Sequence, residues 1–173
     1  MPLMENILDW TRLVLTTTPI RWESMAQTLP TELLTRPPAA GEWSALECLQ
    51  HILDSDDVFT ARLKFFRTGQ DFPDFDPDKE GTRLGATPAP REMAAAFTRR
   101  RTDSLAALAA IAPDDLKRRA CHSTLGLVSL GEMVHAWAAY DLLHTMQAER
   151  AVMQPFILGS GAWQANYQDH LVK

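Results

Sequence analysis

Ser129-Leu130-Gly131-Glu132-Met133, followed four residues later by Ala138-Ala139-Tyr140-Asp141-Leu142-Leu143-His144, decides the fold of this chain. Ser129 and Glu132 stand three apart, the spacing of a capping box in which each residue satisfies an orphan backbone donor of the other's turn. A helix therefore opens at Ser129. From Glu132 it continues without glycine or proline to about Gln154, and Pro155 is expected to end it. Tyr140 and His144 are four apart, so they stack on one face of this helix. Met133 and Trp137 extend that stripe toward the N-terminus.

Three further helical patterns lie upstream. Ile7, Trp10, Leu13, Val14, Trp22, Met25 and Leu29 recur near helical spacing over about Met4 to Leu29. Pro19 falls inside that pattern and is expected to kink or split it, because it lacks a donor and crowds the preceding turn. Thr35 to Gly41 is a loop by composition. A second capping box, Ser44 with Glu47, opens a helix that runs to about Thr68, with Gly69 as its C-terminal stop. Trp43, just before the cap, is placed to staple onto Cys48. The connection from Gln70 to Ala86 is long, polar and rich in acids, so it is expected to cross the fold or cover a site. Thr87-Pro88 then starts a helix to about Ile111, closed by Pro113. No strand-like alternation, internal repeat or low-complexity tract is visible. The reading is all-α: a single four-helix-bundle domain over 1–173, with a short C-terminal piece carrying Trp163 and Tyr167.

Bulk properties narrow the function. A formal charge of −5 argues against nucleic acid as the partner. Arg99-Arg100-Arg101 is the densest basic spot; three successive helical residues point in different directions, so it reads as a solvated face. No apolar run is long enough to span a membrane, and Met1 to Trp10 lacks the build of a signal peptide. Cys48 and Cys121 form no disulfide framework, so a reducing cytoplasm is the expected compartment.

The candidate chemistry lies in His51, Tyr140 and His144. His51 is seven residues past the Ser44 cap, roughly 10 Å into its helix, and His144 is about 22 Å into its own. If the two helices run antiparallel, the histidines sit at nearly the same level. Zinc or nickel needs three or four nitrogen, sulfur or oxygen donors from rigid elements. The competing reading is structural: a hydrogen-bonded core histidine, and a core tyrosine with its hydroxyl satisfied. Cys48, three residues before His51, reads as a buried inert thiol rather than half of a Cys–His pair. Asp54 either orients His51 or is solvated. His135 falls on the opposite side of its helix, His122 is on a loop and His170 is near the terminus.

These segments together resemble the DinB-like superfamily, the YfiT-type four-helix proteins regarded as metalloenzymes. Gly41-Glu42-Trp43-Ser44 with Leu49-Gln50-His51 looks like the start of the family's second helix and its first metal histidine. Leu125 to Met133 looks like the start of its fourth helix, and Ala138 to His144 like its His-Asp-x-x-His signature. The resemblance implies an up-down-down-up bundle, with the Gln70–Ala86 connection as the crossover between the second and third helices. It implies a pocket in which three histidines bind a divalent metal, often zinc or nickel, and a homodimer. Some relatives use low-molecular-weight thiols. His51 and His144 match the first and third ligands. The second falls at Tyr140, which departs from the pattern: a phenol, with a pKa near ~10, ligates only once deprotonated. The expectation is therefore a degenerate His-Tyr-His site, with weak or no metal, in a pocket that binds a small molecule such as a thiol. The alternative is a metal-dependent hydrolase or low-molecular-weight-thiol transferase.

Overall fold

Residues 7–75, 84 and 89–172 are described in the computed structural model of the chain. Four long helices dominate: α1 (Ile7–Thr28), α3 (Ala45–Thr68), α4 (Pro90–Ala109) and α5 (Leu130–Gly159), with a one-turn α2 (Thr31–Thr35) between the first two. Both capping boxes form. Ser44 Oγ accepts from the Glu47 amide at 3.3 Å while Glu47 accepts from the Ser44 amide at 2.7 Å. Ser129 and Glu132 repeat the exchange at 3.2 and 2.6 Å. Gly69 ends α3 in the left-handed conformation, φ 68°, where glycine carries no Cβ penalty.

Cross-helix bonds give the helix directions. Thr11 bonds to the Val134 carbonyl, Thr18 to Asp141 and Arg21 to Glu149, so α1 and α5 run parallel. The His51 ring meets that of His144 while Asp56 meets Trp137, so α3 runs against α5. Thr98 bonds to Glu23 and Arg91 to the Gln27 carbonyl, so α4 runs against α1. Each of α1 and α3 packs against both α4 and α5.

Several expectations are corrected. A small antiparallel hairpin is present: β1 (Arg119–His122) pairs with β2 (Gly126–Ser129), and Phe72 bridges to His122 at its edge. Strands of four residues are too short to show an alternating pattern. Pro155 does not end α5, which continues to Gly159. Proline removes one ladder bond, but Ile157 beyond it is buried in the bundle, and the Gln154 side chain ties the helix to the His170 carbonyl and the Val172 amide. Pro19 likewise sits inside a continuous α1. The expected Thr87-Pro88 cap and most of the expected Gln70–Ala86 crossover lie outside the described residues; α4 begins at Pro90, with proline in its first turn.

The core divides into two apolar clusters. One gathers Leu15, Phe59, Phe66, Leu108 and Trp137; the other gathers Trp22, Leu49, Ile52, Phe97 and Ala148. Between them every long helix contributes a polar residue: Thr18, Asp56, Arg101 and Asp141, all at most 2% exposed. Arg101 is thus not on a solvated face. Its Nη2 donates to Asp141 Oδ1 at 2.5 Å, and its Nε lies 3.2 Å from Asp56 Oδ2. Asp56 also accepts from Trp137 Nε1 at 3.0 Å and Ser104 Oγ at 2.8 Å. Arg100 does face outward, pairing with Asp57. No helix among the described residues is long and apolar enough to cross a membrane.

Candidate functional site

The capping box at Ser44 places His51 two turns into α3, pointing at α5, and the α5 spacing stacks Tyr140 under His144. The three rings meet: their centroids are 4.5 Å apart for His51–His144, 4.4 Å for Tyr140–His144 and 5.3 Å for His51–Tyr140. His51 and His144 are buried and Tyr140 is half-buried. Trp43, from the turn before α3, covers the pair at 4.7 Å from His51 and 5.9 Å from His144. Phe59 and Phe75 close the sides.

The electrostatics favour neutral groups. Burial, with His144 nearby, lowers the His51 pKa to about 4. Burial also lowers His144, against the opposing effects of Gln147 and Asp141. Burial raises the Tyr140 phenol, against the bond from Ser55 and the charge of Arg62. At neutral pH the pair is therefore a neutral imidazole and a neutral phenol. The Tyr140 hydroxyl is hydrogen-bonded to His51 Nε2. His144 Nδ1 is paired with Gln147 Oε1 at 2.9 Å.

This donor set does not fit a divalent ion as it stands. The His51 nitrogen that would ligate is engaged with the tyrosine hydroxyl, and the phenol proton would have to leave before its oxygen could ligate. Among the described residues, no group of three or more His, Cys, Asp or Glu side chains could hold an ion.

The remaining candidates separate. Asp54 accepts from Gln50 at 2.7 Å instead of orienting His51. Asp141 faces the polar layer, on Arg101 and Thr18. His135 and His170 are exposed. Cys48 is fully buried, and burial with Glu47 nearby pushes its thiol up to about 12, so no thiolate is available to attack anything. At pH 8, iodoacetamide should modify the native chain at Cys121, which is partly exposed, and spare Cys48. Alkylation of Cys48 at a comparable rate, read by peptide mass mapping, would contradict this placement.

One part of the site escaped the sequence reading. On the side of Tyr140 away from His144 lies a cavity of about 370 Å³, formed by α3, α5, the hairpin and residues 72–75. Phe59, Phe72, Phe75, Val128 and Met133 supply apolar wall, and Arg62 and His122 are among its polar groups. His122 is brought there by the hairpin, which no sequence signal announced.

The sequence profile of the DinB superfamily matches residues 15–148. YfiT from Bacillus subtilis, described as a probable metal-dependent hydrolase with an unusual four-helix bundle topology, is similar in structure. It has a TM-score of 0.74 and 18% identity over 86% of this chain and 87% of that one. A DinB-like protein, YjoA of Bacillus subtilis, gives a TM-score of 0.57 at 15% identity, over 85% of this chain and 92% of that one. At these identities the structural likeness concerns the fold. No curated protein sequence matches the chain.

Proposed function

The chain belongs to the DinB superfamily, and from that premise we propose that it binds a small molecule in the cavity beside Tyr140, with His51, Tyr140 and His144 as a metal-poor form of the family's site. The observation that carries this reading is the Tyr140 hydroxyl on His51 Nε2. That bond stabilises a neutral, metal-free arrangement and engages a nitrogen an ion would need. A ligand in the adjoining cavity meets the same hydroxyl and the face of its ring.

A second reading has its own support. His51 and His144 remain side by side, and YfiT, of the same fold, is described as a probable metal-dependent hydrolase. In that reading a metal would activate water, or a low-molecular-weight thiol, in the same place. The two separate on one measurement. Untagged protein purified without chelator should contain well under one zinc or nickel per chain by plasma mass spectrometry, with no difference in His144→Ala. About one metal per chain, lost in His144→Ala, would overturn the metal-poor reading and make the hydrolase and thiol-transfer assays the next step.

A further inference from the structure

We infer that the cavity beside Tyr140 takes a small aromatic carboxylate, with its charge on Arg62 and His122 and its ring among Phe59, Phe75 and Met133. The inference rests on the small-molecule reading above and adds the ligand's class.

The volume, about 370 Å³, is at the small end of ligand pockets. One cationic and two anionic side chains line it: Arg62, with Asp74 and Glu132. The two acids are already satisfied. Glu132 Oε2 accepts from the Ser129 amide at 2.6 Å and its hydroxyl at 2.8 Å, where it completes the α5 cap. Asp74 accepts from the Phe75 amide at 2.9 Å and the Thr124 hydroxyl at 3.0 Å. Those bonds hold the Asp74 carboxyl below its ordinary range.

Arg62 is not satisfied in the same way. It is half-buried over the Phe72 ring, and Nη2 donates to the Pro73 carbonyl at 3.2 Å. Its other close polar neighbour is His122 Nε2, at 3.5 Å. That nitrogen is not an acceptor. The opposite ring atom, Nδ1, accepts the amides of Thr124 at 3.1 Å and Leu125 at 3.3 Å, so the ring's proton resides on Nε2. Two N–H donors therefore stand side by side, and the carboxylate nearest to them, Asp74 Oδ1, is 3.4 Å from His122 and is held by its own turn. A ligand carboxylate would accept from both donors and replace hydration that burial has taken from the guanidinium. An amine in the same place would meet the guanidinium and find both acids engaged.

The test uses three probes of one shape: phenylacetate, phenylacetamide and phenethylamine. Each is titrated into the full chain by calorimetry and by NMR of the Met133 methyl. Phenylacetate should bind at least about tenfold more tightly than the amide, the gain expected of a charge-assisted pair. Arg62→Gln should abolish that preference, weakening phenylacetate far more than the amide; Arg62→Lys should keep part of it. Thermal melts of both variants confirm that they are folded. Preference for the amine, equal binding of all three probes, or a preference that survives Arg62→Gln would overturn the carboxylate assignment while leaving small-molecule binding in place. Failure of every probe to shift Met133 would sink both.

Discussion

Arg101→Ala should destabilise the chain by about 3–5 kcal/mol, the cost of removing one member of a buried ionic group and leaving its partners uncompensated. Arg101 is 1% exposed and lies between Asp56 and Asp141, themselves 1% and 2% exposed. Without the guanidinium, two carboxylates from different helices would face each other in the middle of the core. Urea unfolding measures the loss directly. A change below about 1 kcal/mol, the range of exposed pairs, would mean that the polar layer is far more hydrated than its burial indicates.

The same site has a pH signature with a definite sign. Burial is the largest effect on Asp56 and raises its pKa, against Arg101, Ser104 and Trp137. A carboxyl whose folded pKa is raised takes up protons on folding. Its contribution to stability is therefore complete below the unfolded value, near ~4, and is lost as pH rises through the folded value. Removing Arg101 takes away a charge that lowers this pKa. The deficit of Arg101→Ala relative to the parent should thus shrink as pH falls from 8 toward 5. Comparing the two proteins at each pH cancels the opposite trend from Asp74, Asp115 and Glu132, whose pKa values are lowered by bonds unrelated to Arg101.

This polar layer also shows where sequence reading stops. Helical periodicity and two capping boxes were enough to find α1, α3, α4 and α5, because those signals are local. The depth of His51 and His144 in their helices was enough to place them together, because each is set by a cap a known number of residues away. Arg101 is different. Its burial depends on acids 45 positions before and 40 after it, on other helices, and nothing in Arg99-Arg100-Arg101 itself distinguishes the buried member. The same holds for the cavity: Arg62 and His122 are 60 positions apart and meet only through a hairpin whose strands are too short to announce themselves. Proline was misleading for a related reason. Its cost is local, whereas burial of Ile157 and the Gln154 contacts that outweigh it are not.

Tyr140→His should raise affinity for zinc or nickel by roughly 100-fold. Structural zinc sites gain roughly 10–16 kcal/mol from four ligands, so one further imidazole is worth about 3 kcal/mol, before any cost of orienting it. The substitution acts twice: it adds a nitrogen one turn before His144, and it removes the hydroxyl bonded to His51 Nε2. Tyr140→Phe separates the two effects, since it removes the hydroxyl without adding a donor. Calorimetric titration of both variants against the parent should show a large gain for histidine and a small one for phenylalanine. Equal gains would mean that the tyrosine suppresses metal by occupying His51 rather than by failing to ligate. No gain in either would mean that the two histidines do not converge as their 4.5 Å ring separation requires, and the site would then be a packed aromatic cluster with no metal-binding capacity to restore.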